Sequence, residues 1–441
     1  VSLPVIEPRP DLYDEEERWS LDQLRANQLT RLQATVRTCY EHVPHYRAQF
    51  EARGIHPDDI KDLTDIRLLP FTSKKDLREN YPFGLLAVPR KHCVRVHASS
   101  GTTGKPTVVT YTRKDIDTWA NLMARCFRNH GMREGDVFQN THGYGLFTGG
   151  IGCHYGAERL GATVVPTSGG QTERQIQLMI DFQTDVIIAT PSYFLTLMDF
   201  MDSHGVDPAS TNLKIAIFGS EPWTEAMRRE VEDRAQIHVL NLFGLSELMG
   251  PGVASECIET KDGLTIWEDH FFPEIINPVT GEPMPDGEEG ELVFTSLTKE
   301  AMPLLRYRTR DLTKLLPGTA RPAHRRMERI TGRSDDLMII RGVNVFPTQI
   351  EEIILEYPAL TAQYQCVLTR PKRMDELTVH VEAQPTTAPQ DYEQLSADIK
   401  YQIKARIGTT AAVKVLLPGS MERSIGKARR IVDNREPQAQ H

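Results

Sequence analysis

Behind Ser20, apolar residues at Leu21, Leu24, Leu29, Leu32, Val36 and Tyr40 recur every three to five positions, the spacing of one helix face. Ser20 followed by Gln23 supplies the reciprocal cap that starts such a helix. Pro70-Phe-Thr-Ser-Lys-Lys-Asp76 has the make-up of another helix start, and Val108-Val-Thr-Tyr111 that of a strand. From Val164 the pattern changes. Val164-Val-Pro166, Val186-Ile-Ile-Ala189 and Ile215-Ala-Ile-Phe218 are short apolar runs separated by helix-length mixed stretches, which is how the strands of a buried parallel sheet read. Each run ends in turn chemistry: Thr167-Ser-Gly-Gly170, Thr190-Pro-Ser192 and Gly219-Ser-Glu-Pro222. In open α/β sheets, ligands approach at such strand ends.

Residues 273–295, dense in Pro, Gly and acids, predict hairpins. After a charged turn at Gly332-Arg-Ser-Asp-Asp336 the pattern predicts strands over Leu337–Ile340, Leu377–Val381 and Val413–Leu417, and helices over Gln349–Glu356 and Tyr392–Ile407. This is a small α+β domain of about a hundred residues. At 441 residues the chain exceeds one compact core, so two domains are expected, 1–334 and 335–441.

Composition narrows the function classes. An apolar content of 39% with 25% charged residues describes a globular protein, and a net charge of −9 argues against a general nucleic-acid or acidic-membrane surface. No apolar run approaches the roughly 18 residues of a membrane span, and no charged-then-apolar leader pattern opens the chain. The six cysteines are scattered without a Cys-x-x-Cys pair, which suits reduced thiols. Together these predict a cytoplasmic protein. Cys257, His270 and the acids between them match no zinc spacing and read as ordinary buried residues.

The densest candidate chemistry is Ala98-Ser-Ser-Gly-Thr-Thr-Gly-Lys-Pro106. Glycines let backbone N–H groups converge on an anion, hydroxyls add donors and Lys105 adds charge, so the run reads as a phosphate cradle. It is not a Walker A loop, because Gly101 and Gly104 enclose two residues and Pro106 follows Lys105. It is expected between two strands. His142-Gly-Tyr-Gly-Leu-Phe-Thr-Gly-Gly150 interleaves glycines with Tyr144 and Phe147, which offers flat apolar surface beside Gly149 and Gly150 for an aryl ring. Glu247, just beyond the strand-like Leu240–Phe243, is a carboxylate suited to Mg²⁺ beside a polyphosphate. Leu305-Arg-Tyr-Arg-Thr-Arg-Asp311 sets three arginines before an acid; a salt-bridge cluster accounts for some of them. Lys427 follows a glycine in a polar tail.

In order, the phosphate run, Gly219-Ser-Glu-Pro222, Phe243-Gly-Leu-Ser-Glu247, Tyr307-Arg-Thr-Arg-Asp311, Gly332-Arg-Ser-Asp-Asp336 and Gly426-Lys427 resemble the motifs of the adenylate-forming enzymes. Tyr144-Gly-Leu-Phe-Thr-Gly-Gly150, Ser168-Gly-Gly-Gln-Thr172, Thr190-Pro-Ser-Tyr193, Trp267-Glu-Asp-His-Phe271 and Arg341-Gly-Val-Asn-Val-Phe-Pro347 are similar to those of its phenylacetate-activating aryl-CoA ligases. The resemblance covers nearly the whole chain. It implies a large N-terminal α/β domain with a smaller mobile α+β C-terminal domain. It also implies a two-step reaction in which ATP and phenylacetate give an acyl adenylate and coenzyme A then takes the acyl group. By the same resemblance Ser99, Ser100, Gly101, Thr102, Thr103, Gly104 and Lys105 hold phosphates. Gly219, Ser220, Glu221, Pro222, Asn241, Phe243, Gly244 and Ser246 surround the nucleotide. Asp311 takes the ribose hydroxyls, Arg333 lies near ribose or phosphate, Glu247 holds Mg²⁺, Lys427 is catalytic and Asp335 is the hinge. A homodimer is the implied assembly.

Two departures stand out. The family commonly has Gly where this chain has Arg310 and Tyr where it has Phe243. Two other readings remain open on the residues: an enzyme that loads an aryl acid onto a carrier protein, and a nucleotide sensor. A sensor would be expected to lack Lys427 or Glu247, and both are present.

Overall fold

The computed structural model describes residues 3–99, 106–334, 338–341, 343–371, 375–422 and 429–435. Ser100–Lys105, Asp335 and Lys427 therefore lie outside the described residues.

The apolar runs assemble as their pattern predicts. Thr163–Val165, Val137–Asn140, Val186–Ala189, Ile215–Phe218 and His238–Leu245 lie side by side in parallel register, with Val186 opposite Ile215 and Ile215 opposite His238. Antiparallel strands at Gly250–Glu256, Leu264–Ile266, Arg326–Met327 and Leu315–Leu316 extend this to a nine-stranded sheet among the described residues. The central strands are buried along their whole length because helices cover both faces. One helix pair is drawn together by glycine. A Cβ on Gly152 would meet Trp119 at 2.2 Å and one on Gly156 would meet Met123 at 2.2 Å, so helix Thr148–Leu160 sits directly on helix Arg113–Asn129.

Helix Leu21–His42 begins at the Ser20–Gln23 reciprocal cap. Its buried stripe is Leu24, Gln28, Leu32, Thr35, Val36 and Cys39, whereas Leu21 is 52% exposed. The inward face also takes polar Gln28, whose side-chain amide donates to the Glu268 carbonyl at 2.9 Å. The helix start near Pro70 becomes Lys74–Glu79, and the hairpin region becomes antiparallel strands Phe271–Ile276 and Gly290–Ser296. Cys93–Ala98 and Val108–Thr112 pair antiparallel and flank the phosphate run, closed at its base by Ser99 N–H to the Thr107 carbonyl at 3.0 Å.

Beyond residue 338 the chain builds its own core from Met338, Ile353, Tyr364, Val379, Ile399 and their neighbours. Strand Leu360–Thr369 pairs antiparallel with Glu376–Ala383, which pairs parallel with Ala411–Leu416. Helices Pro347–Ile354 and Tyr392–Ile407 complete this unit. All six cysteines are free thiols.

Candidate active site

The carboxyl ends of the parallel strands open into a cleft of about 900 Å³. Thr141 and His142 follow Val137–Asn140, Thr190 follows Val186–Ala189, Gly219 and Ser220 follow Ile215–Phe218, and Leu245 to Glu247 end and follow His238–Leu245; all line it. Each is short loop on a rigid sheet, the arrangement that open α/β sheets use to present ligands.

One end of the cleft is apolar. Phe147, Gly149, Cys153 and Tyr193 line it. A Cβ at position 149 would meet the Phe147 ring at 2.6 Å, and one at 150 would meet the Gly143 carbonyl at 2.4 Å, so these glycines serve close packing within the wall. Tyr144 turns elsewhere: its hydroxyl accepts from Asn140 Nδ2 at 2.8 Å and bonds His154 Nδ1 at 3.0 Å. Tyr193, by contrast, lines the cleft, its hydroxyl held by the Gly170 carbonyl at 3.0 Å.

The other end is polar and charged. Glu247 is only 7% exposed, and the Tyr307 hydroxyl hydrogen-bonds to it. Burial, then the Glu247 charge, holds the Tyr307 phenol well above its ordinary pKa, so it stays protonated and donating. Lys74 Nζ stands 3.8 Å from Glu247 Oε1, and Lys75 and Arg78 from the same short helix also line this end. Ser246 and Thr148 hydroxyls bond each other at 2.8 Å. The buried Ser99 hydroxyl, also on the cleft, has no hydrogen-bond partner among the described residues. This donor set is hard oxygen and cation, chemistry that fits phosphate and Mg²⁺.

A side pocket of about 140 Å³ opens off the cleft between Gly219–Trp223, Asn241–Leu245, Asp311, Arg329 and Arg333. A Cβ on Gly219 would strike the Leu242 carbonyl at 2.8 Å and one on Gly244 the Gly250 carbonyl at 2.2 Å, so the Gly219 loop lies against strand His238–Leu245, and that strand against Gly250–Glu256, backbone to backbone. Glu221 Oε1 accepts the Ser192 N–H at 2.7 Å, at the start of helix Pro191–Ser203. That caps one helix with the loop that walls the pocket. Asp311 faces Arg333 across an antiparallel pair, with Nη1 to Oδ1 at 3.0 Å. The buried Trp223 indole N–H has no partner among the described residues.

The three arginines before Asp311 divide. Arg306 makes a two-point pair with Glu274 at 2.8 and 3.0 Å, and Arg308 one with the fully buried Glu291 at 2.5 and 3.0 Å. They hold strands together. Arg310 lines the cleft with φ +69°, a backbone region that favours glycine. That accounts for the glycine common at this position in the family. Cys257 bonds Asn129 Oδ1 at 2.8 Å and His270 bonds Thr298 at 2.7 Å, each in its own network.

Sequence reasoning missed Lys74, Lys75, Arg78, His142, Cys153 and Tyr193 as cleft residues. Lys74-Lys75, His142 and Tyr193 lie within runs whose pattern is legible, but only tertiary packing turns them inward.

Residues 37–298 match the AMP-binding enzyme family and 342–435 match the AMP-binding enzyme C-terminal domain. The chain is 59% identical over 438 residues to the phenylacetate–coenzyme A ligase of Aromatoleum evansii, covering 98% of this chain and 99% of that one. It superposes on a 2-hydroxyisobutyryl-CoA ligase in the postadenylation state, in complex with 2-HIB-AMP, with TM-score 0.91 and 27% identity over 97% of this chain and 94% of the other. The same ligase with 2-HIB-AMP and CoA in its thioesterification state gives 0.73 at 28% identity, covering 98% and 94%. With its cleft at the strand ends, its own C-terminal core and these matches along nearly its whole length, the chain belongs to the AMP-binding enzyme family.

Proposed function

We propose that this protein is an AMP-forming phenylacetate–CoA ligase. The observation that carries the reading is one cleft that joins apolar walls at Phe147 and Tyr193 with a cationic, hydroxyl-rich region at Lys74, Ser99 and Glu247, and off which a side pocket opens. An aryl acid, a polyphosphate and a nucleoside each find a matching wall. The close likeness to a phenylacetate–coenzyme A ligase supports phenylacetate as the acid.

In the first step a carboxylate oxygen of phenylacetate attacks the α-phosphorus of ATP, the bond to the bridging oxygen breaks and pyrophosphate leaves. Ser99, the donors of Ser100–Lys105 and the helix bearing Lys74 hold the departing phosphates. Asn241, Phe243 and the Gly219–Pro222 loop surround adenine, and Asp311 and Arg333 hold the ribose side. Glu247 and the neighbouring phosphate oxygens would hold Mg²⁺, which neutralises phosphate charge. Lys427 stabilises the charge shared between the attacking carboxylate and the phosphoryl oxygens. In the second step the thiol sulfur of coenzyme A attacks the acyl carbonyl carbon, AMP leaves, and the thiol proton passes to water.

Two steps at one site call for two surfaces in turn, so residues from 335 onward rotate about Asp335 between them. The protein acts in the cytoplasm as a homodimer; light scattering tests the assembly. Phenylacetate, ATP and coenzyme A should yield pyrophosphate, AMP and phenylacetyl-CoA in equal amounts. Phenylacetate-dependent pyrophosphate release with the acyl group passing only to a phosphopantetheinylated carrier protein would overturn the reading.

A further inference from the structure

Lys299 is a cation buried without a carboxylate. It is 4% exposed, and among the described residues it makes no ion pair. Asp115 stands near it, yet the Asp115 oxygens accept the backbone N–H groups of Thr112, Glu300 and Ala301 at 2.9, 2.7 and 3.0 Å. The Lys299 ammonium instead lies 3.3 Å from the centroid of the Tyr111 ring and 3.9 Å from Met249 Sδ. Desolvating an ammonium is costly, and the face of a ring returns only part of that cost. A methionine of similar length would fill the same space without it, so the charge is what distinguishes this side chain.

Tyr111 leads from that charge to the cleft. Its ring stacks on Trp119 with centroids 5.0 Å apart, its hydroxyl donates to the Met249 carbonyl at 3.0 Å, and the Trp119 indole N–H donates to the Pro251 carbonyl at 2.8 Å. Between those two carbonyls Gly250 has φ +112°, and a Cβ there would meet Trp119 at 2.3 Å. The Leu248 and Met249 N–H groups both return to the Leu245 carbonyl, at 3.1 and 3.2 Å, which closes one tight turn around Ser246 and Glu247. The stacked rings therefore clamp the outgoing end of the turn that carries Glu247. A cation over a phenol ring draws electron density from it and strengthens its O–H as a donor, so the Lys299 charge bears on that clamp.

We infer that Lys299 is a positioning residue for the metal carboxylate: its ammonium, seated on Tyr111, holds the turn that presents Glu247. This rests on the reading of Glu247 as the Mg²⁺ ligand. Burial pulls Lys299 down to about 7, with Asp115 and Cys93 opposing. The groups around it titrate outside that range: burial lowers His97 from 6.5 and raises the Cys93 thiol from 9.0, and burial, then the charges of Asp115 and Glu247, hold the Tyr111 phenol well above 10. The ammonium is thus present below about 7 and lost above it, whereas the space the side chain fills is the same on both sides.

The test measures binding of Mn²⁺, in place of Mg²⁺, to the full chain with a non-hydrolysable ATP analogue, by electron paramagnetic resonance at pH 6 and pH 8.5. At pH 6 Lys299→Met should bind Mn²⁺ about three- to tenfold more weakly than the wild type, the size that a desolvated cation–π contact sustains. At pH 8.5 the two should converge, because the wild-type lysine is then neutral. Tyr111→Phe, which keeps the ring and removes the hydroxyl, should bind more weakly at both pH values. The same deficit of Lys299→Met at both pH values would mean that the side chain only fills space, and would overturn the inference. So would wild-type binding by Tyr111→Phe, a result that decides the matter even if Lys299→Met does not fold. Glu247→Gln, measured beside them, should lose most of its Mn²⁺; wild-type binding there would remove the metal reading of Glu247 itself, so the two failures are distinct.

Discussion

The two parts of the molecule bury charge to different extents, with several long-range pairs before residue 334 and, after 338, Arg430 with Glu351. Before residue 334 the interior is stitched by ion pairs far apart in sequence: Arg125 with Asp14 and Asp269, Arg321 with Glu17, Arg228 with Glu256, and Arg325 with Glu268. After 338 the chain has its own apolar core, and among the described residues it meets the rest through a few half-exposed polar contacts and a small apolar seam at Ala362 and Leu355. One part is locked and the other is docked. On the proposed two-step reading, a site that stays fixed sits on the locked part, while a surface exchanged between the steps belongs on the docked part.

The largest expected effect tests the lock. Asp269 is fully buried; burial pushes its carboxyl up, but the Arg125 guanidinium outweighs it and holds the carboxyl well below the usual range. Arg125→Met strands that charge and should destabilise the N-terminal part by about 3–5 kcal/mol, read as a fall in its unfolding midpoint. Both half-reactions per folded molecule should change together. An unchanged midpoint would show that the network contributes nothing net.

Much of this division was legible in the sequence. Tyr392–Ile407 is a helix over the residues its spacing predicted, and the apolar runs from Val164 to Phe218 form the parallel strands. Those patterns are local, and periodicity reports them directly. What lay outside reach depends on long-range packing. Tyr144 and Tyr193 look alike as residues, yet the first binds Asn140 and His154 and the second faces the cleft. Lys74 and Lys75 read only as part of a helix start until Tyr307 and Glu247 arrive beside that helix from far along the chain. The buried pair of Arg125 and Asp269 spans residues that no local window links.

The next effect tests the docked part as a reagent. If Lys427 is delivered to the cleft for the first step only, Lys427→Ala should slow phenylacetyl-AMP formation about 10²–10³-fold, roughly 3–4 kcal/mol. Conversion of supplied phenylacetyl-AMP to the thioester should survive. Equal loss in both steps, measured by pyrophosphate release and thioester formation, would mean that the variant is damaged overall.

Buried histidines and a buried carboxyl give opposite slopes of stability with pH. His130, His142 and His270, all before 334, are pushed down from 6.5 to about 4 by burial. The unfolded chain then binds more protons at these three sites between those values, so they add stability to the N-terminal part as pH goes from about 4 to 6.5, while the Glu256 and Glu230 carboxyls, raised by burial, act against them. Glu351, in the C-terminal unit, goes the other way: burial raises its carboxyl from 4.5 to about 7, with Arg430 at 3.0 Å opposing. Here the folded state binds more protons, so stability is fullest below 4.5 and is lost as pH rises through 7. The size is at most about 3 kcal/mol. Denaturant midpoints at pH 5, 6, 7 and 8 should fall for the C-terminal transition, and Glu351→Gln should flatten that slope. The same slope in Glu351→Gln as in the wild type would show that another group carries it.

The smallest expected effect lies at the seam itself. Arg329 lines the side pocket and donates to the Trp223 carbonyl at 3.3 Å, while its other nitrogen reaches Glu352 of helix Pro347–Ile354 at 2.8 Å. Beside it the Thr348 hydroxyl donates to the Thr331 carbonyl at 2.6 Å. One guanidinium thus touches both the wall of the nucleotide pocket and the docked unit. Both charged side chains keep about a third of their surface exposed, so the pair is worth only about 0.5–1 kcal/mol. That is enough to shift a docking equilibrium two- to fivefold, and a shift in docking divides the half-reactions where a folding defect does not. Glu352→Gln should slow phenylacetyl-AMP formation two- to fivefold while thioester formation from supplied adenylate is unchanged or faster. The exchange Arg329→Glu with Glu352→Arg should restore part of the first rate, because the attraction returns with its polarity reversed. If Glu352→Gln slows both steps alike, or if the exchange recovers nothing, the Arg329–Glu352 contact is an incidental surface pair and docking is set by the apolar seam alone.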